Sequence, residues 1–172
     1  MTKKGGDRLY QRKKLWLSIF GVLSAAMMAL IFYFSAFPAE ESQEMSDGVL
    51  ALLVRVCGIF APTEEKRAAL TALLALYLRK AAHFTEYTLL GCFLTLFFAG
   101  TQKTIPRAVL PALLVGIPYA GTDEWHQLFI AGRSGEWRDV LIDAAGVAFG
   151  AALACVVLSL ILRAKQKRQT PV

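Results

Sequence analysis

LWLSIFGVLSAAMMALIFYFSAF, residues 15–37, runs for 23 positions without a charge. A helix of about 20 residues crosses the ~30 Å hydrocarbon core of a bilayer, so this stretch reads as a membrane span. Lys3, Lys4, Arg8, Arg12, Lys13 and Lys14 precede it. A cleavable secretory signal is the competing reading, since the small residues Ala36 and Ala39 follow. The apolar run, however, exceeds the roughly 7 to 15 residues of a signal core. Composition points the same way: of 172 residues 56% are hydrophobic, 19% are charged, and mean hydropathy is +0.48. A soluble domain carries about 25% charged residues, so the surplus apolar surface needs lipid rather than a water-facing shell. These values exclude a disordered chain and a simple basic-patch nucleic-acid binder. Cys57, Cys92 and Cys155 are odd in number and lack metal-type spacing, and read as apolar packing residues rather than a disulfide scaffold.

Working outward, residues 140–162 form a second charge-poor run, interrupted only by Asp143 and closed by Arg163, Lys165, Lys167 and Arg168. Residues 81–99 and 105–122 supply two more spans, the latter with Pro106, Pro111 and Pro118, which predict a short or kinked helix or a re-entrant segment. Lys and Arg beside spans are retained on the cytoplasmic side. With four spans, the N-terminal tail, the 100–107 connection and the C-terminal tail share one face, which collects 12 of the 19 basic residues and one acid, Asp7. Both termini are therefore expected in the cytoplasm of a multi-pass cell-membrane protein. The organisation is a basic tail (1–14), one membrane domain (15–162) and a second basic tail (163–172).

The outer loop, residues 38–80, is too apolar for a linker. Residues 49–60 and 68–78 are too short to span, and Thr63-Glu64-Glu65 resembles a helix start with acids in the first turn. The expected fold is an all-α membrane bundle of four spans with one or two amphipathic helices on the outer surface. Tyr33, Phe34, Trp125 and Trp137 fall near the outer interface, and Tyr10 and Trp16 near the inner one.

The informative residues are those a span should not contain. Arg79, His83, Glu86 and Tyr87 follow one another at spacings of four, three and one, with Tyr87 four beyond His83, which puts them on one helical stripe. Asp139 and Asp143 are four apart, followed on that face by Gly146 and Gly150, whose missing side chains admit a neighbouring helix. The 122–138 connection carries Asp123, Glu124, His126, Gln127, Arg133, Glu136 and Arg138. An ionised group at mid-bilayer costs about 2.5 to 3.5 kcal/mol on insertion scales, so pairing within the bundle is expected. The expectation is a polar pocket open to the outside, in which Arg79, Lys80 and Arg133 offset Glu86, Asp123, Asp139 and Asp143. His126 reads as a loop residue, Gly146 and Gly150 as helix contacts, and Ser35, Ser42 and Ser46 as caps or loop hydroxyls. His83-x-x-Glu86 plus scattered carboxylates is a permissive pattern, so no metal ligands are assigned and the cofactor is left open.

Three ordered motifs resemble a known family. Arg79-Lys80-x-x-His83-x-x-Glu86-Tyr87, Asp123-Glu124-x-x-Gln127-x-Phe129-x-x-x-Arg133 and Asp139-x-x-x-Asp143-x-x-Gly146 look like the signature of VanZ-like membrane proteins, named after an accessory protein of teicoplanin resistance. Ile31-Phe32-Tyr33-Phe34-Ser35 is similar to that family's first-span exit, although Ala36-Phe37 departs from the polar pair associated with it. The resemblance covers about residues 31–150. It implies a role at the bacterial cell envelope, with resistance associated with some members, and it supplies no reaction.

Three functions follow as expectations. The first is binding of an anionic amphiphile, such as a lipid-linked wall precursor, a teichoic-type polymer or an acylated glycopeptide, with membrane lipids as neighbours and no nucleic acid. Arg79, Lys80 and Arg133 would hold its phosphate or carboxylate, and Tyr87, Glu124, Gln127, Asp139 and Asp143 would complete the site. The second is an intramembrane hydrolase or transferase on a lipid head group, with His83 or Glu86 as acid or base, Asp123, Glu124 or Asp143 orienting it or holding a divalent ion, and Arg133 stabilising a developing phosphate charge, although no nucleophile stands close in sequence. The third is transport or flipping, which four spans could support only as a homo-oligomer.

Overall fold

The computed structural model describes residues 3–102 and 104–169, and side chains from 10 to 167 within them. Lys103 and the side chains of Lys3, Lys4, Arg8 and Arg168, counted above in the basic face, lie outside the described residues. Five α-helices follow in order: α1 (Lys3–Ser35), α2 (Ala39–Cys57), α3 (Glu64–Ala99), α4 (Val109–Gln127) and α5 (Trp137–Gln169). Short 3-10 turns occupy Gly58–Phe60 and Ile105–Ala108, and the described residues contain no strand. Four helical segments are long and apolar enough to cross a membrane: Tyr10–Ser35, Glu64–Ala99, Ile105–Gln127 and Trp137–Lys167. Only 17–28% of the most apolar window of each is buried within the protein. Leu15, Val22, Leu114, Val156 and Leu160 point outward. Contiguous apolar surface of that extent belongs against lipid.

Side-chain contacts give the direction of each helix. Trp16 near the start of α1 donates to the Leu96 carbonyl near the end of α3 at 2.7 Å, whereas Ser35 at the end of α1 reaches Asp123 near the end of α4. Tyr119 of α4 bonds the Met28 carbonyl of α1 at 2.6 Å, so α1 and α4 run together. The parallel pair α3 and α5 runs the other way. α3 is the hub, touching α1, α2, α4 and α5. The core beneath the charged end holds Met27, Ile31, Tyr87, Leu90, Leu94, Ala112, Ala120 and Val147.

The seam between α3 and α5 is built from glycine. A Cβ on Gly150 would stand 1.9 Å from the Thr88 carbonyl oxygen, one on Gly91 2.2 Å from that of Val147, and one on Gly146 2.7 Å from that of Phe84. Backbone meets backbone there, which fixes one register and sets His83 beside Asp143 and Lys80 beside Asp139.

Two boundaries differ from the sequence reading. The outer segment 68–78 is no separate surface helix but the first half of α3, which runs unbroken for 36 residues. Thr63 caps it as expected, its side chain accepting from the Lys66 N–H at 3.3 Å, and nothing between Leu78 and Ala82 breaks it, since all are good helix formers. At 1.5 Å per residue such a helix is about 54 Å long, well beyond a ~30 Å hydrocarbon core, so its first turns stand clear of the core. Among the described residues α2 with its 3-10 turn is thus the one long helix outside the four spans, exposing Met45, Val49, Leu52, Val56, Ile59 and Phe60. Secondly, residues 123–127 are the end of α4 rather than loop, and α5 begins at Trp137 rather than at 140, so the connection shrinks to residues 128–136. Pro118 is accommodated inside α4.

Candidate functional site

Four helices bring polar groups to the same end of the bundle. α4 ends there, and the negative end of its dipole makes the carboxylates Asp123 and Glu124 unfavourable unless cations stand close. α5 starts there, and its positive end favours Asp139 and Asp143. Ser35 closes α1, and α3 passes with Arg79, Lys80, His83, Glu86 and Tyr87.

Gln127 is the centre of the network and is 1% exposed. Its Nε2 donates to Asp123 Oδ2 at 3.2 Å and to Glu124 Oε1 at 3.0 Å, while its Oε1 accepts from Arg79 Nη2 at 3.2 Å and Arg133 Nη1 at 3.3 Å. One neutral amide therefore separates two carboxylates from two guanidiniums, and only one orientation of that amide satisfies all four. The Ser35 hydroxyl donates to Asp123 Oδ2 at 2.9 Å, and the Glu136 N–H donates to Glu124 Oε2 at 3.2 Å.

Arg133 is committed elsewhere than the sequence reading placed it. Its Nε donates to the Phe37 carbonyl at 2.8 Å and its Nη2 to the Phe34 carbonyl at 3.0 Å, so it fastens the 128–136 connection to the end of α1. At 9% exposure it has little surface left to meet a phosphate. Burial and the neighbouring Arg79 push its pKa below the usual arginine value, while Asp123 and Glu124 pull it back up. Gly132, at φ +72°, supplies the turn before it. Gly135 lies so close to the Glu124 carbonyl that a Cβ would stand 2.5 Å away.

Lys80 and Asp139 form a salt bridge at the rim, each about a quarter exposed. Arg79, Lys80, His83, Asp139, Ile142 and Asp143 line a narrow recess of about 10 Å³, room for roughly one water, so a larger guest has to part the Lys80–Asp139 pair at its rim. A larger open depression, lined by Phe37, Glu41, Glu44 and Met45, shares none of these residues and contributes acids rather than cations. At the floor of the recess, His83 Nδ1 lies 3.7 Å from Asp143 Oδ1, beyond hydrogen-bond length. Asp143 is fully buried, and neither of its oxygens has a hydrogen-bond partner; the same holds for Asp123 Oδ1 and the Tyr87 hydroxyl, which are neighbours. Glu86 is half-buried and makes neither hydrogen bond nor salt bridge; it acts on His83, Asp123 and Asp143 through its charge. His83, Asp123, Glu124 and Asp143 each present one ligand-type atom, all within 4.8 Å of one another.

Ser35 was not legible as a site residue, since a serine ending a span looks like a cap. Its place in the Ile31–Ser35 motif was the available signal. His126, read as a loop residue, belongs to the last turn of α4 and stacks against Phe32 at 4.4 Å between ring centres, away from the recess.

An all-helical, four-span bundle with a hydrogen-bonded network of charged side chains at one end defines a multi-pass membrane protein with a buried polar site. Residues 20–160 match the family model described as VanZ/LLP1, and the chain belongs to that family. Comparison with curated proteins and with solved structures found no match.

Proposed function

We propose that this protein binds an anionic, lipid-linked ligand of the bacterial cell envelope, such as a wall precursor or a teichoic-type polymer, in the recess at the charged end of the bundle, and that this end faces outward. The observation that carries the reading is the pairing of Arg79 and Lys80 over His83 in one recess. Arg79 spends a single hydrogen bond on Gln127, and Lys80 is held by a partly exposed ion pair that an incoming phosphate can replace. The apolar face of α2, beside the same end, would meet the acyl or prenyl part of the ligand. Arg12, Lys13, Lys14, Arg107, Arg163, Lys165 and Lys167 sit toward the opposite end, which supports a cytoplasmic location for both termini.

The test is binding of a polyprenyl phosphate, with neutral polyprenol as control, to the full chain in nanodiscs. The phosphate should bind and the alcohol should not, and Arg79→Glu with Lys80→Glu should weaken binding by at least about tenfold, roughly one lost charge-assisted contact. Equal affinity of the double variant and the wild type would overturn the reading. In cells, expression in a susceptible host should raise teicoplanin tolerance, and the double variant should abolish the gain.

A second reading, hydrolysis or transfer at the head group, has the convergence of His83, Asp123, Glu124 and Asp143 behind it. Turnover of labelled polyprenyl diphosphate that disappears with His83→Ala would favour it.

A further inference from the structure

We infer that His83, Asp123, Glu124 and Asp143 form a binding site for one divalent cation of the first transition row, Zn2+ or Mn2+. This rests on observations other than those behind anionic-ligand binding and stands or falls separately from it. Three carboxylates and an imidazole come from three helices, α3, α4 and α5, to within 4.8 Å of one another, ligand atom to ligand atom. An ion with bonds of about 2.0 to 2.2 Å needs ligand atoms roughly 3 to 4 Å apart, so atom pairs at the 4.8 Å limit close by about 1 Å to complete the shell.

The second observation is Asp143. Its side chain is 1% exposed and both oxygens lack a hydrogen-bond partner, although His83 stands 3.7 Å away. A buried carboxylate with no hydrogen bond, whose nearest partner is an imidazole at ion-pair rather than bonding distance, is costly, and native structures avoid it unless another group completes the site. Asp123 resembles it in part: Oδ2 accepts from Ser35 and Gln127, while Oδ1 makes no hydrogen bond and has the Tyr87 hydroxyl as its neighbour.

The surroundings match what holds metal ligands elsewhere. Carboxylate ligands are commonly oriented by hydrogen bonds from behind. Here Ser35 and Gln127 orient Asp123, and Gln127 and the Glu136 N–H orient Glu124. Charge also closes. Three carboxylates around a dication leave one negative charge, and Arg79 and Arg133 stand one amide away, on Gln127. One nitrogen ligand among oxygens favours Zn2+ or Mn2+ over Mg2+ or Ca2+.

The full chain, stripped with chelator and placed in phosphatidylcholine nanodiscs without added ligand, is loaded with Zn2+ or Mn2+ alone, and the metal is counted by elemental analysis after gel filtration. About one ion per chain is expected, with a rise in unfolding temperature that grows with free metal. Asp143→Asn, which keeps the shape and removes the charge, should bind at least about tenfold more weakly and lose that rise, while the exposed Glu65→Gln should behave as wild type. Fewer than about 0.1 ions per chain with both metals, or undiminished uptake by Asp143→Asn, would overturn the inference. Should that variant fail to fold, the wild-type count decides alone.

Discussion

Gln127 shows how much one neutral side chain can carry. Its amide meets two carboxylates on one side and two guanidiniums on the other, and replacement by leucine would leave the buried Asp123, Glu124 and Arg133 and the part-buried Arg79 each short of a bond. Each such loss costs about 1 to 3 kcal/mol, so Gln127→Leu should destabilise by at least about 3 kcal/mol in a thermal or denaturant titration in detergent. Gln127→Glu should fare no better, because it keeps the acceptor for the arginines but sets a third carboxylate against Asp123 and Glu124. A loss below about 1 kcal/mol in both variants would contradict the network. Lys80 is the opposite case. Its ion pair with Asp139 is partly exposed, and such pairs contribute about 0 to 1 kcal/mol, so Lys80→Met should leave stability nearly unchanged while weakening anionic-ligand binding. At this scale the sequence revealed which residues share a stripe, since Arg79, His83, Glu86 and Tyr87 recur at helical spacing. It could not reveal that Arg133 is spent on the Phe34 and Phe37 carbonyls, because those contacts join positions nearly a hundred residues apart.

Among the elements, the α3–α5 seam decides whether the site exists. Gly150→Ala would place a methyl group 1.9 Å from a carbonyl oxygen of α3, and backbone has no rotamer with which to retreat. Overpacking of this kind costs about 1 to 3 kcal/mol, and the separation it forces should loosen the Lys80–Asp139 and His83–Asp143 pairs together. Lower stability with impaired ligand binding is therefore expected for Gly150→Ala, whereas Gly48→Ala on α2, where an added Cβ meets nothing within 4 Å, should be tolerated. Wild-type behaviour of Gly150→Ala would count against the seam. The sequence announced this contact through the four-residue spacing of Gly146 and Gly150. It misplaced the start of α3 and the end of α4 for one reason: the sequence reading ended a span where charge began, but a helix continues through charged residues that find partners in neighbouring elements.

Among the described residues, the polar network gathers at one end and Arg12, Lys13, Lys14, Arg107, Arg163, Lys165 and Lys167 lie toward the other, with apolar side chains facing outward between them. The four spans could be counted from hydropathy alone, and their charge asymmetry predicts which way they lie. What hydropathy could not supply was how the spans pair, since oil against oil and oil against lipid look alike in a sequence. The central claim is that the charged end opens to the outside of the cell. The measurement that tests it most directly is thiol labelling at the rim: Lys80→Cys in a chain with Cys57, Cys92 and Cys155 replaced by alanine, exposed in intact cells to a membrane-impermeant maleimide. Labelling of intact cells at position 80, with none at a cysteine placed at Arg163, is the expected result. Labelling at 163 but not at 80 before the membrane is permeabilised would contradict the account.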